Sequence, residues 1–567
     1  MEYMIECAIG YEGNIYAIDS EIGNKVGLVQ VNPGSGMTLL REGLPMPLRR
    51  KQISSSQTYM VESYGEVFVI KKSCWEVYKP RVRYFDIYKV NFSTGDWEKV
   101  ENLGDRAFFI DTSNFYCLSC LVAESRIKKN SIYFTGMYDK GLYMYDLEFK
   151  NISISSPCPD IDSHDFVVAW IMFAPTMPCS PSYDEENTLA IVEDIIPTIR
   201  NTVEEVMEVQ QVPWSWADLP QELLSLIQSY IFAGDRICFR AVCRSWQKSS
   251  VVPLPVDSMD YSMMVSSSCL MSFSMKGNID LFYPMYNSRY TLELEEELFG
   301  AWICFSKDSW LLLFQGEGNM FFFNPFTKAR IELPDFPHDN GFDAFCFTST
   351  PTSPNCIVFG IHSDSYKVKI FITHVGEESW NVYHLKNNKR WRVFNCINMS
   401  VSLSSISFYP SQSNPVFYGG LFYCLDEQGK LGYFDPERGR WTVFRTSWKL
   451  DVWKYDQNFL VECDGNLLAV FVGTLGRWIR VYRLDQPKMI WKNVKSLGDW
   501  MLFLSENTCF STKAAVRGMG NKIYIPRFYG NHGVFYSLAT KRYHTFDGGC
   551  LTNFYDTTEV IQCTWML

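Results

Sequence analysis

Positive charge is in deficit along this chain of 567 residues: 52 Lys and Arg stand against 63 Asp and Glu, which leaves a formal charge of −11. Binding to nucleic acid over a broad surface needs Lys and Arg to displace the cations that surround the phosphates. We therefore predict no nucleic-acid partner. Histidine is also scarce, and none of the seven residues forms HExxH or another ligand pair at helical spacing. We predict no metal site.

Long hydrophobic runs are missing as well. The best candidate, FVVAWIMF at 166–173, is less than half of the roughly 20 residues that a membrane-spanning helix needs, so we predict no membrane segment. The N-terminus, MEYMIECAIGYEGN, has neither a basic segment nor a long apolar one, which argues against a secretion signal. The 18 cysteines are scattered, without the regular framework of a small secreted domain. They favour reduced thiols in the cytoplasm or the nucleus.

Sequence motifs of catalysis are lacking too. The single Cys-x-x-Cys, Cys117 to Cys120, has no second pair at zinc-ribbon spacing, so we expect one buried and one exposed structural thiol. Neither a phosphate-binding Gly-rich loop nor a Gly-x-Ser-x-Gly elbow occurs. The acidic run Glu295-Glu296-Glu297 indicates a solvated edge or loop. We predict no catalytic residue and no cofactor, and keep open a glycosidase whose two carboxylates meet only in the fold.

The residues that are abundant favour strands. Hydrophobic residues make up 47% of the chain and aromatic residues 16%, and flat rings pack well on a pleated surface. Five segments of eleven residues share one pattern, in which an apolar residue is followed by Asn, Asp or Ser, by turn-forming residues and by a second alternating run. They are VNFSTGDWEKV (90–100), YDLEFKNISIS (145–155), FNPFTKARIEL (323–333), FDPERGRWTVF (434–444) and YSLATKRYHTF (536–546). Each predicts a β-hairpin.

The spacing of these hairpins indicates a β-propeller. The first two begin 55 residues apart, and the last three are separated by 111 and 102 residues, about two periods of ~50 each. Short antiparallel strands with such a period are typical of propeller blades, and a β-sandwich is the alternative. The residues 260–567 therefore predict one complete propeller, which at roughly 50 residues per blade has six or seven blades.

The sequence also contains a longer repeat, because three segments near the N-terminus recur in the same order near the C-terminus. The pairs are YMVESYGEVFVI (59–70) with FLVECDGNLLAV (459–470), WEKVENLGDRAFFI (97–110) with WKNVKSLGDWMLFL (491–504), and NSIYF (130–134) with NKIYI (521–525). Residues 1–173 therefore predict a partial β-propeller that duplicates the C-terminal half of the complete one. Trp170 and Trp565 mark the ends of the two copies, 73 residues after Trp97 and 74 after Trp491.

Three or four blades are too few to close a ring. We expect the partial copy to expose strand edges and apolar blade faces, and therefore to aggregate or to borrow a partner. The stretch 174–213 starts with Pro and Ser and then turns acidic, which predicts a linker. We expect a chain that begins near Gln211 to fold and to function without the partial copy.

The segment 214–250 has a helical pattern. Asp218 is a suitable N-cap, and Gln221 can complete a capping box. Apolar residues then form one face of a helix of about three turns, which is too short to be stable alone. That face contains Leu219, Leu223, Leu224, Ile227 and Ile231. A second helix follows near Asp235. An ordinary helical hairpin that packs on a neighbouring domain is the alternative.

The whole stretch LPQELLSLIQSYIFAGDRICFRAVCRSWQ, 219–247, resembles an F-box. Its Leu-Pro pair, spaced Leu and Ile residues, Val-Cys-Arg and Trp coincide with that motif. The candidates for the F-box core or for contact with an adaptor are Leu219, Pro220, Leu223, Leu224, Ile227, Ile231, Val242, Cys243 and Trp246. The segments GNMFFFNPFTKARIELP (318–334) and GGLFYCLDEQGKLGYFDPERGRW (419–441) look like blades of plant F-box proteins with a KIB-type β-propeller. The half-propeller in front of the F-box departs from that family.

The resemblance implies a mainly β chain with a small all-α F-box and a non-catalytic function. Such a protein would be the substrate receptor of a cullin-based ubiquitin ligase of the SCF type. The F-box would bind a Skp-family adaptor, and through it a cullin, while the propeller would hold an unidentified target protein. A propeller scaffold whose helical hairpin packs internally and a propeller hydrolase are the alternatives.

Overall fold

The computed structural model divides into two compact units, Met1–Trp170 with Pro255–Leu567, and Ile171–Leu254. The residues that the structure describes are 5–22, 25–32, 36–42, 55–75, 81–92, 96–111, 116–122, 127–135, 141–155, 219–220, 223–224, 246, 268–273, 278–284, 288–293, 298, 300–316, 318–337, 341–363, 367–386, 389–395, 400–406, 408–411, 413–444, 455–486, 488–514, 518–546 and 548–566. In the first unit their regular structure is almost entirely β. No described helix is long and apolar enough to cross a membrane.

Three sheets, here named blades a, b and c, precede residue 156. Blade a has the strand order β1-β2-β3-β4: β1 Ile5–Tyr11, β2 Asn14–Ile22, β3 Lys25–Asn32 and β4 Gly36–Glu42. Blade b has the order β5-β6-β7-β8: β5 Ser55–Ser63, β6 Glu66–Trp75, β7 Arg81–Asn91 and β8 Asp96–Val100. Blade c has the order β10-β9-β11-β12-β13: β9 Arg106–Asp111, β10 Tyr116–Leu121, β11 Ser131–Thr135, β12 Leu142–Asp146 and β13 Asn151–Ser155.

Six further sheets, blades 1 to 6, follow residue 268. Blade 1 contains β14 Cys269–Phe273, β15 Asn278–Tyr283, β16 Ser288–Glu293 and the last strand of the chain, β42 Cys563–Met566. Blade 2 contains β17 Trp302–Lys307, β18 Trp310–Gln315, β19 Asn319–Phe323 and β20 Arg330–Glu332. Blade 3 contains β21 Ala344–Phe347, β22 Ile357–Ser363, β23 Lys367–His374 and β24 Asn381–Lys386. A separate hairpin, β25 Lys389–Asn395 and β26 Ser400–Ile406, comes next.

Blades 4 and 5 again have four strands each, whereas blade 6 has six. Blade 4 contains β27 Val416–Tyr418, β28 Leu421–Leu425, β29 Leu431–Asp435 and β30 Arg440–Val443. Blade 5 contains β31 Tyr455–Cys463, β32 Asn466–Gly473, β33 Ile479–Asp485 and β34 Ile490–Val494. Blade 6 contains β35 Trp500–Leu504, β36 Cys509–Lys513, β37 Lys522–Tyr529, β38 His532–Ser537, β39 Arg542–Thr545 and β40 Cys550–Leu551. One short strand, β41 Thr558–Val560, lies outside these blades.

Blades 1 to 6 close into a ring. Their inner strands contact one another in the order β42, β17, β21, β27, β31 and β36. The first blade is completed by the last strand, because β14 pairs antiparallel with β42 and places Leu270 opposite Trp565. Blade 6 meets blade 1 through the indole of Trp565, whose Nε1 donates to the Leu504 carbonyl at 2.9 Å. Closure of this kind covers the blade faces that an open arc would expose. The predicted propeller fold is confirmed, and the part of 260–567 that the structure describes contains six blades.

The strands in the middle of a blade are apolar on both faces, since each blade is covered by a neighbour on either side. In β18, WLLLFQ, every residue except the last is buried, and in β19, NMFFF, every residue except the first. The outer strand β20, RIE, is half-buried or exposed. The continuous apolar runs in the sequence therefore belong to inner strands, and the alternating runs with turns belong to the outer hairpins.

The duplication is visible in matched hydrogen bonds. Leu103 N donates to Asn130 Oδ1 at 2.9 Å, and Leu497 N donates to Asn521 Oδ1 at the same distance. In both copies β9 and β35 pair in parallel with β11 and β37, in the same register. The turn after β5 and the turn after β31 also agree, because Gly65 N and Gly465 N each donate to a Glu carboxylate at 2.7 Å. Blades a, b and c therefore correspond to blades 4, 5 and 6.

A seam joins blade c to blade 6. The strand β41 pairs antiparallel with β13 on one side and with the end of β37 on the other. Ser153 Oγ lies 2.9 Å from Thr558 Oγ1 across the seam, and Ile154 N donates to Thr557 O at 3.2 Å. One hydrophobic cluster runs through blades b, c, 5 and 6. The two copies are thus one compact body.

This seam differs from what the sequence led us to expect. The outer edge of β13, which the sequence analysis leaves open, is covered by a strand that lies about 400 residues further along the chain. A chain that begins near Gln211 would leave β41 with one neighbouring strand in place of two. The proposed boundaries at 173, 213 and 250 remain predictions, because those residues lie outside the described ranges.

Candidate functional site

Five of the nine predicted F-box residues are described, and a helical turn is present among them. Leu224 N donates to Pro220 O at 3.1 Å, which is the i to i+4 bond of a helix that begins after the Leu-Pro pair. Leu224 is 1% exposed, whereas the neighbouring Leu223 is 46% exposed and Pro220 is exposed. Leu219 and Trp246 are half-buried, and Trp246 is helical. Leu223 is therefore an apolar side chain on the outside of the first turn.

The other four predicted residues, Ile227, Ile231, Val242 and Cys243, lie outside the described residues. The described part of Ile171–Leu254 does not amount to a complete all-α F-box, so the F-box stays a prediction that rests on the sequence motif.

The two thiols of the Cys-x-x-Cys segment are structural in character. Cys117 and Cys120 are both half-buried on β10, so the expected difference in their exposure is absent. Burial raises the pKa of both thiols, which keeps them protonated at neutral pH and makes them poor metal ligands. Cys509, which corresponds to Cys117 in the other copy, has its pKa raised by burial to about 12. Among the described residues no group of three His, Cys, Asp or Glu side chains is placed to hold a metal.

The centre of the ring holds a cluster of hydroxyl groups from three blades. Ser306 Oγ lies 2.9 Å from Thr508 Oγ1 and 2.8 Å from Thr564 Oγ1, and it donates to Trp565 O at 2.6 Å. Thr564 Oγ1 donates in turn to Thr508 Oγ1 at 2.8 Å. All three residues are buried. The cluster links blades 1, 2 and 6 at their inner strands and gives the ring a polar, hydrogen-bonded centre.

Two asparagine side chains form further hydrogen bonds between blades. Asn414 Nδ2 donates to Cys304 O at 3.2 Å and to Phe345 O at 2.7 Å, and so ties blade 4 to blades 2 and 3. Asn507 Nδ2 donates to Cys563 O at 3.1 Å and ties blade 6 to blade 1. Each amide satisfies backbone carbonyls that would otherwise be buried without a donor. These contacts hold the inner strands of neighbouring blades together.

A buried carboxylate–imidazole pair lies at the start of blade 3. His362 Nδ1 lies 2.8 Å from Asp343 Oδ1, and Asp343 Oδ2 accepts from Ser363 N at 2.7 Å. The adjacent hydroxyl of Ser363 donates to Phe408 O at 2.7 Å. The carboxylate thus spans two consecutive residues of β22 and fixes its register against the start of β21. Both members of the pair are buried, as a structural pair in a blade should be.

A second buried carboxylate, Asp426, directly follows β28. Its Oδ1 accepts from Gln428 N at 2.9 Å and Lys430 N at 2.6 Å, and its Oδ2 lies 3.3 Å from Lys430 Nζ. Burial raises the pKa of this carboxyl to about 6, although the Lys430 ammonium and the backbone N–H groups act in the opposite direction. Between about pH 4 and pH 6 the folded chain therefore holds a proton that the unfolded chain has released. This residue makes the ring less stable as the pH rises through that window.

Asp426→Asn should remove this pH dependence, because the amide keeps an oxygen acceptor for the two N–H groups and does not ionise. We expect the urea midpoint of the variant, relative to that of the wild-type chain, to be higher at pH 7 than at pH 4.5. Equilibrium urea titrations at the two pH values measure the difference. An equal difference at both pH values, or one with the opposite sign, would show that the buried carboxyl is ionised throughout.

An exposed apolar patch distinguishes blades b and c from their counterparts. Tyr64 is 59% exposed in the turn after β5, Leu121 is 49% exposed at the end of β10, and Leu121 N donates to the Tyr64 hydroxyl oxygen at 3.3 Å. The corresponding residues of blades 5 and 6 are Asp464 and Lys513. The same turn and strand end therefore fold with charged residues, so the fold itself does not require Tyr64 and Leu121. Two adjacent apolar side chains in water favour contact with another molecule.

Sequence analysis did not single out this patch, although a signal for it was present. The aligned segments VESYGE (61–66) and VECDGN (461–466) share Val, Glu and Gly, and they differ in having Tyr64 in one copy and Asp464 in the other. The exposure of Leu121 depends on the pairing of β10 with β9, which the hairpin pattern does not predict.

Comparison with known proteins gives consistent matches. The model of the KIB1-4 beta-propeller family matches residues 4–176 and 280–546, that is, both copies. An F-box/kelch-repeat protein of Arabidopsis thaliana is 29% identical over 343 residues, which cover 58% of this chain and 88% of that protein. Another F-box protein of the same plant is 34% identical over 122 residues, covering 21% of this chain and 82% of its own length. The F-box protein KIB4 of Arabidopsis thaliana is 24% identical over 271 residues, covering 42% of this chain and 64% of its own length.

Proposed function

Because this chain belongs to the KIB1-4 beta-propeller family, we propose that it is the substrate-receptor subunit of an SCF-type ubiquitin ligase. The observation that carries the proposal is the F-box pattern at 219–247, ahead of a closed six-bladed ring, in a chain whose relatives are named F-box proteins. The F-box binds a Skp-family adaptor and through it a cullin. The protein acts in the cytoplasm, the nucleus or both.

The receptor itself needs no catalytic group. It raises the effective concentration of a target's lysines near a ubiquitin-charged enzyme that is bound elsewhere on the complex. The polar centre of the ring supports this role, because the hydroxyl groups of Ser306 and Thr508 and the amide nitrogens of Asn414 and Asn507 form hydrogen bonds between blades. The protein is a binding subunit and not an enzyme.

The F-box contacts the adaptor through the apolar residues of its first helix. Leu223, which is 46% exposed beside the buried Leu224, and the exposed Pro220 are the side chains of the described turn that are available to a partner. A short helical unit that is unstable alone gains stability when it lays an apolar face against partner helices. Leu219 and Pro220 set the start of that helix, so their replacement disturbs both its position and its apolar face.

The target binds the propeller at the patch formed by Tyr64 and Leu121. Tyrosine is among the side chains that contribute most to the binding energy of protein interfaces when a partner covers them, and the adjacent Leu121 extends the apolar contact area. The patch lies on the duplicated blades, which typical members of the family lack in front of the F-box. On this proposal, target recognition lies on the duplicated part of the chain.

Removing the Leu-Pro pair should abolish adaptor binding. We expect Leu219→Ala/Pro220→Ala to bind a purified Skp-family adaptor at least about 30-fold more weakly than the wild-type chain, which corresponds to roughly 2 kcal/mol of lost apolar contact. Leu223→Asp should have a similar effect, because it places a charge on the contact surface. Isothermal titration calorimetry or a quantitative pull-down measures the change.

A matched control keeps the F-box intact. Tyr64→Asp/Leu121→Lys introduces the residues that blades 5 and 6 carry at the same places, so it should fold and bind the adaptor as the wild-type chain does while losing its target. Equal adaptor binding by the wild-type chain and Leu219→Ala/Pro220→Ala would favour a propeller scaffold. Hydrolysis of a sugar or an ester by the purified chain alone would favour a hydrolase.

A further inference from the structure

Two exposed side chains of the duplicated blades lie at turns whose backbone does not suit them. Glu12, between β1 and β2, has a φ of +48°, and Tyr64, between β5 and β6, has a φ of +55°. The left-handed region is costly for most residues and is tolerated best by Gly, Asn and Asp. Of the described non-glycine residues with a positive φ, Tyr64 is the one aromatic residue, and its counterpart Asp464 is of a favoured type. Backbone strain of this kind is typical of binding sites.

The second copy also has a favoured residue at the position of Glu12. Tyr11 and Tyr418 are equivalent, because their hydroxyls donate to Gly carbonyls of the turns after β5 and β31, at 2.9 and 2.7 Å. The residue that follows Tyr418 is Gly419, with a φ of +56°, where the first copy has Glu12. The fold therefore forms both turns without a glutamate or a tyrosine at these positions.

The carboxylates of Glu12 and Glu62 meet beside the turn that contains Tyr64. The hydroxyl of Tyr11 donates to Gly65 O, which places the turn of blade a next to the turn of blade b. Glu62 Oε1 accepts from Gly65 N at 2.7 Å. Partial burial and the carboxylates of Glu12 and Glu62 raise the pKa of Tyr11, so both carboxylates lie near its hydroxyl. Both glutamates are exposed.

The side chain of Tyr64 extends from these carboxylates to blade c. Its hydroxyl oxygen accepts from Leu121 N at 3.3 Å. Ser119 Oγ donates to Ser63 Oγ at 2.7 Å, so the two blades are also joined next to the tyrosine. The surface therefore presents, in order, two carboxylates, an aromatic ring and an aliphatic side chain.

The carboxylates of this surface exceed its cations. Within the described part of the chain, neither Glu12 nor Glu62 forms an ion pair. Lys89 and Arg106 share a third carboxylate, that of Glu66. Three carboxylates and two cations leave a charge of −1, and the carboxylates without a cation are those next to Tyr64. A cationic partner group would complement them.

We propose that the surface formed by Glu12, Glu62, Tyr64 and Leu121 binds an extended segment of the target that has a basic and an apolar residue two positions apart. The basic group lies between the carboxylates and against the tyrosine ring, and the apolar side chain contacts Leu121. Side chains at i and i+2 of a strand point the same way and lie about 6.6 Å apart, which is about the length of a tyrosine side chain. This surface is the target site of the proposed function, on which the inference rests.

Short peptides titrated onto the full chain test the charge preference. In saturation-transfer difference NMR, a peptide with Leu-Ser-Arg between Gly-Ser flanks should bind at least about 10-fold more tightly than the same peptide with Leu-Ser-Glu, because the change replaces attraction by repulsion. The preference should shrink in about 1 M NaCl, which screens exposed charges. Ser-Ser-Arg, which lacks the apolar side chain, should bind more weakly than Leu-Ser-Arg.

A matched pair of variants locates the preference. Glu12→Gly/Glu62→Gln should fold, because blade 4 has a glycine at the first position and the glutamine oxygen can still accept from Gly65 N. Its affinities for Leu-Ser-Arg and Leu-Ser-Glu should agree within about 3-fold. Glu462→Gln is the control: Glu462 is the exposed counterpart of Glu62 in blade 5 and accepts from the turn glycine in the same way, so this variant should keep the wild-type preference.

Equal binding of Leu-Ser-Arg and Leu-Ser-Glu by the wild-type chain overturns the proposal. So does a preference that survives Glu12→Gly/Glu62→Gln or one that Glu462→Gln abolishes. Adaptor binding, measured on the same preparations, separates this inference from the proposed function. A chain that binds the adaptor without the peptide preference overturns the basic segment and leaves the ubiquitin-ligase function standing. A preference that is lost in Tyr64→Asp/Leu121→Lys, in a chain that binds no adaptor, supports the surface and overturns the ligase function.

Discussion

Trp565→Ala should lower the free energy of unfolding by about 3–5 kcal/mol, which is the usual cost of deleting a large buried aromatic side chain. Trp565 is 1% exposed on the strand that closes the ring. Its indole contacts Phe503 at 5.1 Å and donates to Leu504 O at 2.9 Å. The alanine variant therefore loses the packing between blades 6 and 1 and leaves a buried carbonyl without its donor. The midpoint of a urea titration, followed by tryptophan fluorescence, measures the loss.

A tryptophan on another blade supplies a control for this experiment. Trp491 belongs to β34, which pairs with β33 in blade 5 and takes no part in closing the ring, and it is half-buried. Trp491→Ala should consequently cost less than half as much as Trp565→Ala. Equal losses from both variants would show that Trp565 stabilises its own blade and not the closure of the ring.

The blades were predictable from the sequence because their signals are local. Each hairpin combines turn-forming residues with an alternating strand, and the ~50-residue period follows from counting the hairpins. The duplication was predictable for a similar reason, since matched segments such as 59–70 and 459–470 fold into matched strands. Local pattern and final structure agree wherever a blade is built from strands that are neighbours in the chain.

Pairings between distant segments were not predictable in this way. The strand β41 is only Thr558–Val560, too short and too polar to show a period, and its two partners are β13 and β37. The parallel pairing of β9 with β11 is hidden as well, because β10 intervenes in the sequence and lies on the other side of β9. In both cases the register is set by contacts that exist only after the blades have formed.

The F-box was predicted on different grounds from the blades. Its residues were found through a motif and not through physical necessity, because one apolar helical face fits many helical hairpins. The described turn at Leu223 and Leu224 agrees with the predicted helix start, but the choice of partner surface depends on the resemblance to a family. The adaptor experiment therefore tests the function, and the ring experiments test the fold, independently of each other.

Arg527→Ala should destabilise the seam by about 3–5 kcal/mol, because it leaves a carboxylate buried without its counter-ion. The guanidinium of Arg527 forms an ion pair with Glu559 of β41, and both side chains are buried. Arg527 Nη1 also donates to Thr557 Oγ1 at 3.2 Å, and the guanidinium lies 3.9 Å from the centre of the Phe554 ring. One side chain thus fixes the three-residue strand that joins the two copies.

A double variant separates charge pairing from packing. Arg527→Met/Glu559→Leu removes both charges and keeps apolar volume. Its free energy of unfolding should therefore lie within roughly 1–2 kcal/mol of the wild-type value, much closer than that of Arg527→Ala. Arg438→Ala breaks an ion pair with Asp435 in which the arginine is highly exposed, and it should cost less than about 1 kcal/mol. Urea midpoints rank the three variants, and limited proteolysis reports whether blade c separates from blade 6.

The ranking decides what holds the copies together. If Arg527→Ala is the least stable and the double variant recovers, the ion pair sets the register of β41, and the paired strands carry the seam. If the two variants are equally unstable, the stabilisation comes from the stacking of the guanidinium on Phe554, which both variants remove. In that case the anchor is Phe554, whose amide donates to Leu475 O at 2.9 Å and whose ring lies against Gly476, at a position where any Cβ would come within 2.5 Å of it. Gly476 has a φ of +70°, so an alanine there adds backbone strain to the steric clash. In that case Gly476→Ala should lower the free energy of unfolding more than Arg527→Ala does.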